Sequence, residues 1–358
     1  MRARAPVQFR SARAALAMMA ATLAVSATDA AAGPVGYGAA TTGGGSRPEL
    51  AVGSMQAMQS AIDSYDGTSG LVLRYTGTFD FGSIGDVCAQ WTRDAQIVQI
   101  KRKNNITIIG ASGSSANFGI HIAGPSSNII VRNMTIGLLP GGEDADSISI
   151  EGMSSGAPSN IWIDHNTIFA SLTECPGAGD ASFDGGIDMK KGAHHITVSY
   201  NYVHDYQKVA LNGFSDSDTG NSNARTTYHH NRYENVKSRL PLQRFGRTHI
   251  YNNYFKNVGT SGINVRMGGL SLIESNVFET VKNPVTSRDS SSIGFWDLRD
   301  NLATGITWDD GDDGAVNATD WATTMPFGPT GYSYPVTPVS SVVAKVLATA
   351  GAGTNLAE

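Results

Sequence analysis

Ile163-Asp164-His165-Asn166, Val198-Ser199-Tyr200-Asn201, Tyr228-His229-His230-Asn231, Ile250-Tyr251-Asn252-Asn253 and Ile273-Glu274-Ser275-Asn276 share one pattern, an apolar or aromatic residue three places before an Asn. Ile130-Val131-Arg132-Asn133 aligns ahead of them. Successive Asn residues stand 33, 35, 30, 22 and 23 apart. A period in the twenties with longer variants marks a solenoid with loops inserted in some coils. β-Branched residues and Gly dominate and apolar residues alternate, so the units are short strands and not helices. One such unit cannot cover its own apolar face. Stacked units bury Ile130, Ile163, Val198, Tyr228, Ile250 and Ile273 in one column. The recurring Asn reads as a turn ladder: Asn tolerates left-handed bends, and stacked amides bond at the strand spacing of ~4.8 Å.

Outside the repeat, Ser54 to Tyr65 places Met55, Met58 and Ile62 on one helical face, with Ser54 as N-cap. Ser340 to Ala350 reads as a second short helix ended by Gly351. Both are expected to cap or pack against an all-β solenoid, not to form a second domain. Arg2, Arg4, Arg10 and Arg13 precede the apolar run Ala14 to Ala27 and small residues at Ala30 to Gly33. This predicts a secretory signal peptide over 1–30, an extracellular mature domain over 31–358, and no membrane span. Losing four Arg and one Asp takes the net charge from −5 to about −8. A net acidic protein binds a polyanion only through a local basic stripe, and nucleic acid is not an expected partner. Cys88 and Cys175 are the only cysteines; in an exported chain they either form one disulfide or stay as two buried thiols.

Charge is sparse at 16% of residues, yet it gathers at matching points of the repeat. Asp144, Asp146, Asp184, Asp188, Lys190, Lys208, Arg239, Arg244 and Arg266 all lie in or beside the short strands that follow the Asn turns. In-register stacking puts them on one face. Four carboxylates on adjacent coils repel unless a cation joins them, and hard oxygen ligands favour Ca²⁺. No Cys or His group has zinc-like spacing. The bland alternative is a set of solvated loop acids. Arg239-Leu240-Pro241-Leu242-Gln243-Arg244 places two guanidiniums either side of a backbone fixed by Pro241. Such a pair suits carboxylates, whether a ligand's or those of a neighbouring coil.

Several ordered segments resemble the extracellular pectate lyases of polysaccharide lyase family one. They are Glu143-Asp144-Ala145-Asp146, Ile161-Trp162-Ile163-Asp164-His165, Phe183-Asp184-Gly185-Gly186-Ile187-Asp188, Val198-Ser199-Tyr200-Asn201-Tyr202, Arg239 to Arg244, Asn264-Val265-Arg266 and Asn283-Pro284-Val285-Thr286-Ser287-Arg288. The resemblance covers most of the mature chain, least so the C-terminal tail. It implies a right-handed single-stranded parallel β-helix. It also implies Ca²⁺ at Asp144, Asp146, Asp184 and Asp188, although the family also uses Glu where Asp184 stands. By the same resemblance Arg239 is the base, Lys190, Lys208, Arg244 and Arg266 contact uronate oxygens, and Cys88 pairs with Cys175. A second, C-terminal disulfide of some relatives is absent from this sequence. Asp164 and His165 look like an acid–base pair, but they fall on the strand before the Asn turn and read as structural.

The implied reaction is β-elimination on polygalacturonate by a calcium-dependent pectate lyase (EC 4.2.2.2), expected to be a monomer. Cations neutralise the uronate carboxylate, a base removes the C5 proton, and the bond to O4 breaks. A free arginine keeps its proton above pH 12, so this base needs cationic surroundings, which points to an alkaline optimum. Three other readings compete. A galacturonan hydrolase would use Asp184 and Asp188 as its carboxylate pair. A pectin lyase on methylated substrate would not need the acids. A β-helical pectin-binding protein would need the stripe but no reactive Arg239.

Overall fold

The computed structural model describes residues 33–312 and 314–354, so the expected signal segment over 1–30 lies outside the described residues. Short strands coil into a parallel β-helix. Ten of them, from Glu49–Val52 to Phe295–Arg299, stack as one sheet. A second sheet of 15 strands supplies the other faces. The joint is the long strand Tyr202–Asn212: its first half pairs with Thr167–Phe169 and Arg232–Ser238, its second with Gly185–Lys190 and Leu242–Arg244. Every pairing between strands is parallel except Thr286–Ser287 with Val316–Asn317.

The core is a set of columns running along the helix axis. Val198 lies between Ile163 and Tyr228, and Ile250 between Tyr228 and Ile273, all inaccessible to solvent. The expected first member, Ile130, is corrected by one residue. Arg132 stands opposite Asp164, so Val131 enters the column and Ile130 faces Trp162 on the outer side. This coil turns one residue later than the aligned pattern. Asn133 (φ 55) takes the bend that His165 (φ 50) takes in the next coil, and Met134 takes the ladder place.

The Asn ladder itself is present. The Nδ2 group of Asn166 donates to Asn201 Oδ1 at 2.9 Å, Asn201 to Asn231 at 3.0 Å, Asn231 to Asn253 at 2.9 Å, Asn253 to Asn276 at 3.0 Å and Asn276 to Asn301 at 3.1 Å. Each Oδ1 also accepts the backbone N–H of the preceding ladder residue, so one side chain satisfies two buried donors per coil. The expected reason for Asn was only half right. The left-handed residue is the one before it, namely His165, Tyr200, His230, Asn252 and Ser275. The ladder needs the amide, and the bend is carried by its neighbour.

The helix α1 (Met55–Ser64) begins at Ser54, whose Oγ accepts from Ala57 N–H at 3.1 Å. It buries Met58 and Ile62 against the first strand of the second sheet, Ile97–Lys101, and so closes the N-terminal end. The helix α2 (Val339–Thr349) covers a flank instead of an end: Val342, Val346 and Ala350 pack on the outward-facing Tyr254 and Val277. The last coils are covered by Trp308 and Trp321, the latter packed on Phe278.

Both ends of the described chain run back over the coils as straps. Near the start, Tyr37, Gly38, Thr42 and Gly44 donate backbone N–H groups to Thr227, Thr197, Asn128 and Thr107 in turn. At the other end, Thr337 bonds Asn252, Ala352 bonds Thr167 and Gly353 bonds Asn133. Cys88 and Cys175 form a disulfide across 87 residues of chain, a loop length at which a cross-link stabilises by about 2–5 kcal/mol. Among the described residues no helix is long and apolar enough to cross a membrane.

Candidate active site

The site lies on the second sheet, where Ile187 and Met189 point into the core and alternate with Asp188 and Lys190 on the outside. Asp188 is 2% exposed, and its Oδ1 is buried with no hydrogen-bond partner. Asp146 is also buried; its Oδ1 accepts from Gly185 N–H at 3.0 Å and its Oδ2 from Lys190 Nζ at 2.7 Å. Lys190 Nζ stands 3.5 Å from Asp188 as well. Position 185 has to be glycine, because a Cβ there would sit 2.3 Å from Asp188 Cγ.

Burial, then the charge of Asp146, pushes the Asp188 carboxyl well above the usual range, and raises Asp184 in the same way. Lys190 is raised as well, but by a different cause. Burial works to lower it, but Asp188 and Asp146 hold it above its ordinary value. The three acids outnumber the two ammonium groups beside them, Lys190 and Lys208. Among the described residues no group of three His, Cys, Asp or Glu side chains is arranged to hold a metal as it stands. The chemistry of Asp146, Asp184 and Asp188 nevertheless fits a hard cation: all-oxygen donors, mutual repulsion, and one carboxylate oxygen with no bond. Asp144 stands apart. It ends the 3₁₀ turn Gly142–Asp144, is exposed, and lines a separate hollow with Trp91, Thr92 and Glu143.

On the next coils come the bases. Lys208 Nζ is 3.5 Å from Asp184 and 3.9 Å from Asp180. Lys208 pairs in register with Ser238, and Leu211 with Leu242. Between those pairs Val209 and Ala210 face Arg239, Leu240 and Pro241, so one strand carries an extra residue. This β-bulge re-aims the chain: Arg239 adopts a left-handed φ of 67 and the Leu240–Pro241 peptide is cis. Arg239 is half-buried and among the described residues makes no ion pair. Its charge lowers the carboxyls of Asp184 and Asp188 on one side and Arg266 on the other, which places it between the acids and the remaining bases.

Arg244 and Arg266 stand directly opposite each other on neighbouring strands. Burial, then the charge of Arg244, brings Arg266 down to about 10, against the pull of Asp289 at 3.2 Å. The stacking expected from the repeat therefore brings together Asp146, Asp184, Asp188, Lys190, Lys208, Arg239, Arg244 and Arg266, and leaves Asp144 at the margin.

The whole described chain fits a known family. A family model described as pectate lyase matches residues 9–355. Pectate lyase 3 of Pectobacterium carotovorum subsp. carotovorum is 44% identical over 349 residues, 89% of this chain and 91% of that protein. The chain belongs to the pectate lyase family. Among solved family members, pectate lyase II of Xanthomonas campestris is 69% identical with a TM-score of 0.90, covering 91% of this chain and 100% of that one. Pectate lyase C of Erwinia chrysanthemi, solved with Ca²⁺, is 41% identical with a TM-score of 0.84 over 90% of this chain and 97% of that one. A mutant of the same enzyme in complex with pentagalacturonic acid gives a TM-score of 0.81.

Two acids that matter to this site carry no signal in the sequence. Asp216 accepts from Arg244 Nε at 2.7 Å, and Asp289 pairs with Arg266. Both sit in Ser- and Asp-rich loops, where an acid with a partner looks the same as a solvated one. Asp164 and His165 are structural, as expected. Asp164, fully buried on the first sheet, is bonded by His165 Nδ1 and Ser199 Oγ at 2.7 Å and paired with Arg132 at 3.0 Å.

Proposed function

We propose that this protein is a calcium-dependent pectate lyase, cleaving (1→4)-α-D-galacturonan by β-elimination to 4,5-unsaturated oligogalacturonides. The observation that carries this reading is the place of Arg239: a side chain with no carboxylate partner among the described residues, on a bulge, between buried acids and a row of bases. Family relatives solved with Ca²⁺ and with pentagalacturonic acid support the same ligands here.

Lys190 and Lys208 meet the carboxylate of the reacting uronate, and the Arg244–Arg266 pair meets its neighbour by paired hydrogen bonds. Asp146, Asp184 and Asp188 would hold Ca²⁺, which when bound would supply positive charge that makes the C5–H more acidic. Arg239, acting in its neutral form, takes the C5 proton and becomes a guanidinium. The released electron pair forms the C4–C5 double bond, the C4–O4 bond breaks, and O4 leaves with its chain and acquires a proton from water. Stabilising the charge that develops on the carboxylate is the main task of the row, and its rigid β-coils hold these groups in place before substrate arrives.

Absorbance of unsaturated product from polygalacturonate, read with Ca²⁺ and with chelator, tests this. A hydrolase releases reducing ends without absorbance, a pectin lyase prefers the methylated polymer and ignores chelator, and a binding protein releases nothing. We also propose export with removal of residues 1–30 and action as an extracellular monomer. The Cys88–Cys175 disulfide supports an oxidising compartment. The N-terminal sequence of protein recovered from culture medium checks the first, and its sedimentation the second.

A further inference from the structure

The outer face that carries Asp188 and Lys190 does not end there. Strand pairing continues it over three more coils: Asp188, Ser149, His121 and Gln99 form one outward row, and Lys190, Glu151, Ala123 and Lys101 the next. The residues between them, Ile187, Met189, Ile148, Ile150, Ile120, Ile122, Val98 and Ile100, point into the core. On this extension lies a hollow of about 340 Å³, lined among others by Gln99, Lys101, His121, Glu151, Met153 and Lys191. That is within the usual range for a small-molecule site. Three strand spacings of ~4.8 Å put Lys101 roughly 14 Å from Lys190, a few sugar units along a linear chain.

The polar groups of the hollow are poised for a ligand. His121 Nε2 is buried with no hydrogen-bond partner, and Glu151 Oε2, at 3.6 Å, is beyond hydrogen-bond range. Glu151 is neutralised by Lys191 Nζ at 2.6 Å. Lys101 is exposed, and among the described residues it has no ion pair. The balance is cationic, with the apolar Met153 at the wall to take the C–H face of a sugar ring. Burial keeps His121 below its ordinary value, hence neutral, able to donate to or accept from a hydroxyl.

We infer that this hollow is a distal saccharide subsite, in which Lys101 binds a uronate carboxylate and His121 Nε2 a ring hydroxyl of the same galacturonan chain that crosses the catalytic row. The inference rests on the galacturonan reading and deepens it. The subsite acts on chain length: long substrates reach it and short ones do not.

Lys101→Ala and His121→Ala, made in the full mature chain, are compared with wild type on tetragalacturonate and decagalacturonate, both fully de-esterified. Each variant is expected to lose about tenfold in kcat/KM on the decamer and nothing on the tetramer, and Lys101→Arg to restore most of the loss. Unchanged decamer kinetics in both variants overturn the subsite. An equal loss on both substrates overturns it as well, since that reports damage to the catalytic row. If the wild type gives no unsaturated product from either oligomer, the lyase reading itself fails. The subsite is then judged by calorimetric titration of decagalacturonate alone, where Lys101→Ala must still weaken binding about tenfold.

Discussion

Asp216 and Arg244 are joined at 2.7 Å through Nε, while the other oxygen of the same carboxylate takes hydrogen bonds from Ser290 Oγ and from the N–H and Oγ of Ser291. Arg244 Nη1 is spent on Gly213 O at 3.0 Å, which leaves the outer edge of the guanidinium to substrate. One acid thus ties two loops to one binding arginine. Burial works to raise Asp216, but Ser291 and Arg244 hold it well below the usual carboxylate range, so the tie stays ionised at any working pH.

Asp216→Asn removes the charge and keeps the shape. It is expected to raise KM for polygalacturonate about tenfold, ~1.4 kcal/mol, with kcat reduced much less. Combined with Arg244→Lys, the two effects should fall short of additive, because both act on one guanidinium. Additive losses in the double variant would mean that Asp216 acts elsewhere.

Arg239→Lys should keep the fold and the affinity while lowering kcat by about 10²–10⁴-fold, the range for loss of a positioned proton acceptor. Lysine keeps the charge but loses the planar fork. Circular dichroism checks the fold. Near-normal turnover would move proton abstraction to Lys208 or to Arg266, the guanidinium whose burial already brings it down to about 10.

Chelation should abolish activity and added Ca²⁺ restore it. The ion should also stabilise the fold, by about 2.7 kcal/mol at a hundredfold excess over Kd, because it relieves repulsion among Asp146, Asp184 and Asp188. Asp188→Asn should cut that thermal shift sharply and demand far more Ca²⁺ for activity. Differential scanning calorimetry reads the shift without any substrate. An identical shift in the variant would place the ion elsewhere, with the exposed Asp144 the first residue to examine.

Acid stability depends on a different region. His230 and His249 lie under the C-terminal strap, where His230 Nε2 meets Thr337 Oγ1 at 3.0 Å and His249 meets Tyr332 and Glu274, and His229 packs between His230 and Tyr251. Burial lowers all three. His230 falls to about 3, aided by the charge of Lys345, and His249 falls despite Glu274. An unfolded histidine takes up its proton near pH 6.5 and these do not, so stability is complete above that pH and is lost as pH falls from 6.5 towards 3. Melting temperature should drop over that window, and His230→Gln should flatten the slope by about one proton. A melting temperature independent of pH between 7 and 4 would contradict this.

The class of fold was legible because its signal is periodic. One Asn per coil and alternating apolar residues leave few alternatives, and charges at repeated points must share a face once coils stack. What stayed hidden was local offset. Nothing in Ile130-Val131-Arg132-Asn133 announces that its coil bends one residue late, since Asn suits both the bend and the ladder. The bulge at Arg239 was equally silent. Pro241 signals a rigid backbone, but the extra residue exists only relative to the neighbouring strand. Loop carboxylates such as Asp216 gain their meaning from partners far along the chain, which spacing does not encode.

The straps give the fold a direction in time. Coils of a solenoid touch only their neighbours, so the rungs after α1 can assemble one by one. Thr337, Ala352 and Gly353, however, fasten to Asn252, Thr167 and Asn133, rungs made long before. The row of bases is complete once the coil of Arg266 has formed, yet the seam over the earlier coils stays open until Ala352 and Gly353 dock. The stretch from Thr337 to Gly353 therefore serves as the latch of the coils.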